Sequence, residues 1–267
     1  MPSHTPKDVA RQYASSDPLV VRMRTHQLYG ERRVDLDAIC YAALDLTGNE
    51  AILDAGCGPG RFLNYIRSRD HTSKLVGLDQ SAAMVAGVAE LGIDAVQGDV
   101  QSLPFDNQSF DRVVARHMLY HVPDIPLALS EFRRTLRTDG LLLATTNSAT
   151  SMPRILELIQ DLLAAFDQPD WERPDSRFSI ENAVRFFEDA GYAAEARVIE
   201  NALIFHSPDP IIDYCASCLP SLDIAQDPAL HAEMVRWLIV EAGRRLDRLG
   251  GEWRDPTYAG LYVCRSL

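Results

Sequence analysis

The stretch ILDAGCGPGRF, residues 52–62, runs a short apolar segment into an acid, Asp54, and then into Gly56, Gly58 and Gly60. Glycines at a strand-to-helix turn let a ligand come into van der Waals contact with the backbone, and the start of the next helix offers N–H groups. Two more acids close the next two apolar runs, Asp79 in GLDQS and Asp99 in QGDVQSLPF. An acid roughly 20 residues beyond such a loop can accept both hydroxyls of a ribose. The apolar residues after Asp99 suit the faces of a flat ring. The plain alternatives are a tight turn with no ligand, and a helix cap, since Asp79 stands just before Ser81. Acids at three successive strand ends are harder to explain as capping. A dinucleotide loop is a different pattern, because G-x-G-x-x-G needs its third glycine where this chain has Arg61, and no GKS or GKT phosphate loop is present.

The elements that must position these residues follow from hydrophobic periodicity. Runs rich in Val, Ile and Leu at 51–56, 74–79, 94–99, 110–116 and 140–147 predict strands, with helical patterns at 81–91 and 124–138 between them. That alternation implies an α/β fold, a parallel sheet covered on both faces. Before it, a helix is expected over 32–46, ended at Gly48. After Asn147 the rhythm changes: helix at 151–166, a Pro- and Asp-rich loop at 167–177, helix at 179–192, a strand at 195–207, two more helical stretches and a closing strand at 258–267. We expect a single domain over 1–267, with a helical cover at 1–48 and helical inserts at 148–176 and 208–249 that cap an acceptor.

Bulk properties exclude several classes. The 267 residues, 46% hydrophobic, suffice for a sizeable core, and 26 basic against 38 acidic residues leave a net charge of -12. Such a balance repels nucleic acid and anionic membranes. No apolar run is long enough to span a bilayer, and Met1 to Ala10 lacks the apolar core of a signal peptide, so the expectation is a cytoplasmic protein. Five scattered cysteines make no disulfide framework. Cys215 and Cys218 have metal-like spacing but no second ligand pair, and are expected to be half-buried helix residues rather than a metal site.

Taken together, LDAGCGPG (53–60), GLDQSAAM (77–84), GDVQSLPFDNQSFDRVVARHMLYHVPD (98–124) and LRTDGLLLATTN (136–147) resemble the class I S-adenosylmethionine-dependent methyltransferases, in particular the branch acting on small molecules. The resemblance is close over 30–147 and looser over 178–207 and the closing strand. It implies a doubly wound, mostly parallel, Rossmann-like sheet of seven strands with the last antiparallel, and S-adenosyl-L-methionine as cofactor, leaving S-adenosyl-L-homocysteine as product. Carried over, it implies that Asp54 faces the ligand's amine and that Gly56, Gly58 and Gly60 line its methionine moiety. Asp79 would hold the ribose hydroxyls, with Gln80 and Met84 flanking the adenine. Asp99 would accept from the adenine amino group, Val100 or Gln101 would lie against the ring, and Arg116 would lie beside the sulfonium. A leading helix lies over the cofactor in that family, which implies Tyr29 there, with Tyr13 and His26 toward the acceptor.

On the acceptor side, ARHMLYHVPD places Arg116, His117, Tyr120 and His121 at the end of the fourth strand. His117 can serve as a general base, since an ordinary imidazole is mostly neutral at pH 7, with Arg116 orienting the acceptor or balancing an anion. The alternative is that both histidines only brace the loop. Trp171 is a further candidate acceptor contact, and Phe178 and Tyr214 face either the acceptor or the core. The expected partner is a small molecule, not nucleic acid or a membrane, and the expected state is a monomer or homodimer. Two other classes stay open: a nucleotide- or nicotinamide-dependent enzyme on a similar sheet, and a non-catalytic module that binds the same cofactor.

Overall fold

The structure is a computed structural model that describes residues 17–69, 72–169, 173–219 and 227–267; Tyr13 and Trp171 lie outside them. Nine helices and seven strands are described: α1 (Asp17–Tyr29), α2 (Leu36–Ala43), β1 (Ile52–Ala55), α3 (Arg61–Arg67), β2 (Leu75–Asp79), α4 (Ala82–Glu90), β3 (Asp94–Gln97), β4 (Phe110–Arg116), α5 (Ile125–Thr135), β5 (Leu136–Asn147), α6 (Pro153–Ala165), α7 (Ala183–Asp189), β6 (Tyr192–Phe205), α8 (Asp209–Cys218), α9 (Pro228–Arg248) and β7 (Trp253–Ser266). They pack as two compact units. A sheet unit takes in 35–149, 174–199 and 259–267, and a helical unit takes in 150–173, 200–258 and the described residues before 35.

The sheet has seven strands in the order β3-β2-β1-β4-β5-β7-β6. Pairs β1–β2, β1–β4, β2–β3 and β4–β5 are parallel, and β7 runs antiparallel to β5. This is the doubly wound, mostly parallel architecture expected. Alternation along the strands sorts side chains into two cores. Leu53, Val113, Ala115, Leu142 and Ala144 face one helix layer, while Ile52, Val114, Leu141 and Leu143 face the other, where α2 contributes Cys40. The same period puts Asp54, Arg116 and Thr145 at the carboxyl ends of β1, β4 and β5 on that second face.

Several boundaries differ from those expected. The helix anticipated over 32–46 starts only at Leu36, because Asp35 accepts from the Ala38 N–H at 2.9 Å and so sets the N-cap. The helix anticipated to residue 138 stops at Thr135: Leu136 is extended, with ψ 140°, and pairs with Phe110 across a bulge in the β4–β5 ladder. Strands β6 and β7 begin at Tyr192 and Trp253, several residues earlier than their apolar runs suggest.

In the helical unit, Ile155, Leu158, Ile159 and Leu162 of α6 recur at helical spacing and pack with Ile211 and Cys215 of α8 and Met234, Leu238 and Ala242 of α9. Cys215 and Cys218 are both fully buried in this core, and burial raises both thiols. The residue before α6, Met152, is left-handed at φ 54° and caps nothing with its side chain. Asp255 of β7 does so instead: its carboxylate accepts from the N–H groups of Arg154 at 3.1 Å and Ile155 at 2.9 Å, and from Trp253 Nε1 at 3.3 Å. Asp255→Ala leaves all three donors without their acceptor at a buried position. It should lower the unfolding free energy by about 2–4 kcal/mol in urea titration; a loss under about 0.5 kcal/mol would show that α6 starts without this cap.

Candidate active site

The loop after β1 is tied down on every side. The N–H groups of Gly56 and Cys57 both donate to the Leu78 carbonyl, at 2.7 and 3.0 Å, and that of Gly60 donates to Cys57 at 3.2 Å. The N–H of Gly58 donates to Asp79 Oδ2 at 3.0 Å, while Asp79 Oδ1 accepts from Ser81 N at 2.9 Å. Asp79 is therefore not the cap of α4; Ser81 is, accepting from the Met84 N–H. Gly58 and Gly60 take different parts. A Cβ on Gly60, at φ 78°, would meet Val88 Cγ2 at 2.9 Å, so this glycine lets α4 close on the loop, whereas nothing lies within 4 Å of a Cβ on Gly58. The backbone at Gly58 thus faces open space beside the Asp79 carboxylate.

Beyond Asp79, the side of Gln80 is exposed and its carbonyl accepts from Gln97 Nε2 at 3.0 Å, while Met84 and Val100 are buried. Asp99 is exposed at the end of β3. Its Oδ1 accepts from the Gln101 N–H at 2.8 Å, and the Gln101 amide binds the same carboxylate while its Oε1 accepts from Asp124 N at 2.9 Å. Parallel sheets bind ligands outside the carboxyl ends of their strands, and Asp54, Asp79 and Asp99 all stand there. A surface cleft of about 510 Å³ around Glu50, Asp111, Arg112 and Arg137 opens at the opposite edge, where Asp111 and Arg137 neutralise each other at 2.6 Å.

The end of β1 meets a charged cluster that sequence alone did not assemble. Asp54 is 3% exposed, and no hydrogen bond to its carboxylate occurs among the described residues. Burial pushes its carboxyl up to about 7, against the pull of Arg116 and with the push of Asp79 and Asp37. Arg116 donates from Nη2 to Asp37 Oδ1 at 2.6 Å and lies over the Phe62 ring, 4.1 Å from its centre. Arg61 takes the other oxygen of Asp37, from Nη2 at 2.6 Å and Nε at 3.0 Å. Burial opposes the charge on Asp37, but Arg116 and Arg61 outweigh it and hold its carboxyl below the usual range. Two buried polar atoms nearby have no partner, Arg116 Nε and Thr145 Oγ1. Asp37 falls within the helix expected over 32–46 and Arg61 stands where a dinucleotide loop has its third glycine; nothing in their spacing links them.

His117 follows β4 in the left-handed region, φ 50°, with its N–H donating to Thr145 O at 3.0 Å. A non-glycine residue held there is strained, as residues at functional turns often are. Met118 packs its Cβ and Cγ 2.9 Å from where a Gly56 Cβ would be, so His117 and the glycine loop adjoin. The Tyr120 and His121 rings meet edge to face at 4.5 Å, with His121 buried. Phe178 is fully buried against Phe186 and Phe187, a core residue of the sheet unit. In the helical unit, Tyr29 packs on Phe205 at 5.2 Å and His26 meets the edge of buried Tyr214 at 6.1 Å.

Comparison with known proteins fits this site. Residues 53–144 match the family described as methyltransferase domain. The malonyl-[acyl-carrier protein] O-methyltransferase of Erwinia billingiae is 32% identical over 162 residues, 60% of this chain and 60% of that protein. For that of Enterobacter lignolyticus the figures are 33% and 52% of the protein, so the chain spans between half and two thirds of these curated relatives. Among solved structures, the fold resembles a SAM-dependent methyltransferase from Aquifex aeolicus, with a TM-score of 0.53 and 14% identity over 93% of this chain and 98% of that one. It also resembles the [4+2]-cyclase SpnF, with a TM-score of 0.59 and 18% identity over 97% and 96%. At such identities the likeness is one of fold.

The raised Asp54 carboxyl makes stability depend on pH. Its ionised form is disfavoured in the fold, so the stability it contributes is complete below the ordinary value of 3.8 and is lost as pH rises through about 7. Asp54→Asn abolishes that loss. Thermal unfolding without ligand should show the variant gaining on the wild type between pH 5 and pH 8; a constant gap would mean that the carboxyl titrates normally.

Proposed function

We propose that this chain, whose residues 53–144 match the methyltransferase domain family, is a class I S-adenosylmethionine-dependent enzyme that transfers a methyl group from S-adenosylmethionine to a small-molecule acceptor. The observation that carries the cofactor reading is the state of the loop's donors. All four N–H groups of Gly56, Cys57, Gly58 and Gly60 are bonded within the protein, and three strand ends carry acids. A phosphate would find no donor cradle among those groups and much repulsion, which weighs against a nucleotide or nicotinamide ligand. An ammonium, a ribose and an amino-substituted base find acceptors instead.

In this reading Asp54 faces the ammonium, Gly56, Gly58 and Gly60 leave room for the methionine chain, and Asp79 accepts the ribose hydroxyls through lone pairs not used by Gly58 and Ser81. Gln80 and Met84 flank the adenine, Asp99 accepts from its amino group, and Val100 and Gln101 support its face. Tyr29 completes the cover. When bound, S-adenosylmethionine supplies an electrophilic methyl group on a sulfonium that departs as a neutral thioether. The chain's own task is alignment and exclusion of water, with a base needed only where the acceptor must lose a proton.

His117 is the residue we assign to that proton, because the strained turn after β4 holds it next to the glycine loop. Tyr120, His121, His26, Tyr13 and Trp171 are proposed to shape the acceptor site, whose occupant accepts on O, N or C. An acceptor of natural-product type is in keeping with relatives that methylate acyl-carrier-bound malonate. No helix among the described residues is long and apolar enough to cross a membrane. With a net charge of -12, we propose a cytoplasmic enzyme, a monomer or homodimer, acting on small molecules rather than nucleic acid or lipid surfaces.

Calorimetry should show binding of S-adenosylhomocysteine, weakened by about 1–3 kcal/mol in Asp79→Ala through unpaired hydroxyls. Binding of NAD with none of the thioether would sink the reading. For the acceptor step, His117→Ala should reduce turnover roughly 100-fold while holding cofactor affinity within about twofold. Near-full turnover by that variant would make His117 a bracing residue only.

A further inference from the structure

We propose that the outer edge of β6, residues 193–199, is the surface through which two copies of this chain pair, antiparallel, about a two-fold axis at Ala196. Strand β6 stands last in the sheet order, with β7 as its neighbour. The outer side of its second half is covered: Gly30 bridges Leu203, the Glu31 N–H donates to Ala202 O at 2.8 Å, and Arg32 Nη2 donates to Glu200 O. Those bonds show which groups look outward. The carbonyls of 200 and 202 do, so by the two-residue period the N–H and C=O groups of Ala194, Ala196 and Val198 do as well. No strand or loop among the described residues takes them. The opposite edge of the sheet is blunted by brevity, since β3 runs only from Asp94 to Gln97, whereas β6 leaves a longer stretch open with Val198 48% exposed.

Charge then chooses the register. Residues whose groups point outward must face one another, which restricts the possible axes. An axis at Ala196 sets Glu195 of each copy opposite Arg197 of the other, twice over by symmetry. An axis at Glu195 or at Arg197 would set like charges face to face, and one at Ala194 or Val198 would leave both charges opposite uncharged residues. Glu195 and Arg197 are exposed, and neither makes an ion pair among the described residues. In the proposed register they occupy non-hydrogen-bonded positions, where facing side chains come closest. The same register sets Val198 against Ala194 and Ile199 against Ala193, so each apolar side chain gains an apolar neighbour. The ladder ends at Ile199, where the contacts of Gly30 to Arg32 begin one residue on. Pairing of this kind uses the same edge in both copies, so assembly stops at two.

The ladder is short against the roughly 20–30 residues a side of a standard interface, so dissociation is expected at about 10–100 µM. Sedimentation equilibrium of the wild type across that range should show monomer and dimer in exchange. Arg197→Glu sets an acid against Glu195 in both pairs and should raise the dissociation constant about tenfold or more; adding Glu195→Arg should return it to within about threefold of the wild type. The register has its own readout. The five native cysteines are all buried, so a thiol introduced on the edge reacts alone. Ala196→Cys lies on the axis, with Cα atoms about 5.5 Å apart, and should crosslink two chains on mild oxidation, while Val198→Cys, facing Ala194, should not. A wild type that stays monomeric throughout overturns the proposal and makes Glu195 and Arg197 charges that keep the edge unpaired. Species larger than a dimer, or a dimer indifferent to Arg197→Glu or not restored by the double exchange, put the contact elsewhere and also overturn it. So does a Val198→Cys variant that crosslinks as readily as Ala196→Cys.

Discussion

The carboxylate of Asp79 holds two turns at once, and the ligand-facing edge of the sheet depends on it. One oxygen fixes Gly58 in the loop after β1, and the other fixes Ser81 in the turn before α4. A carboxylate that accepts backbone N–H groups from both sides cannot swing, so the lone pairs it has left point in fixed directions. The same bonds consume donors that a phosphate would need. Under the proposed function, discrimination against a dinucleotide would come from how the loop satisfies its own donors, not only from which side chains line it. The packing of Gly60 on Val88 completes the effect by bringing α4 onto the loop, the part played by the third glycine of a dinucleotide loop, but one residue earlier and followed by an arginine.

That arginine shows where the sequence was legible and where it was not. Strands β1 and β2 were readable because their apolar runs are buried on both sides, and β1 to β4 were each placed within a few residues. The acids at their ends were equally plain, since each punctuates a run. Boundaries failed where the pattern is mixed. Residues 136–138, Leu, Arg and Thr, read as the tail of a helix, yet they are the start of β5. After buried Tyr192, the first half of β6 is largely exposed, and so its beginning has no continuous apolar signature.

The charged cluster was invisible for another reason. Asp37, Arg61 and Arg116 lie far apart in the chain and meet only because α2 docks on the face that carries Arg116. Each has an ordinary local reading as a helix acid, a loop arginine or a strand terminus. Only the absence of partners at Arg116 Nε and Thr145 Oγ1, a property of the folded state, singles the place out. His117 is an intermediate case: its position at the end of β4 could be read, but its left-handed backbone could not, since histidine does not advertise that conformation as glycine does.

The segment 253–266 ties the two units together in time as well as in covalent order. Asp255 supplies the start of α6, about 100 residues upstream, and Ala259 to Arg265 supply the antiparallel partner of β5. During synthesis, neither unit can finish until this stretch has emerged from the ribosome. In the interval Leu141, Leu142 and Leu143 lie on a strand whose far edge has no neighbour, a template for pairing with another nascent chain. Contacts of such long sequence separation make folding slow, because loop closure comes before any return from burial. How soon that edge is covered therefore bears on folding as directly as the final stability of the sheet does.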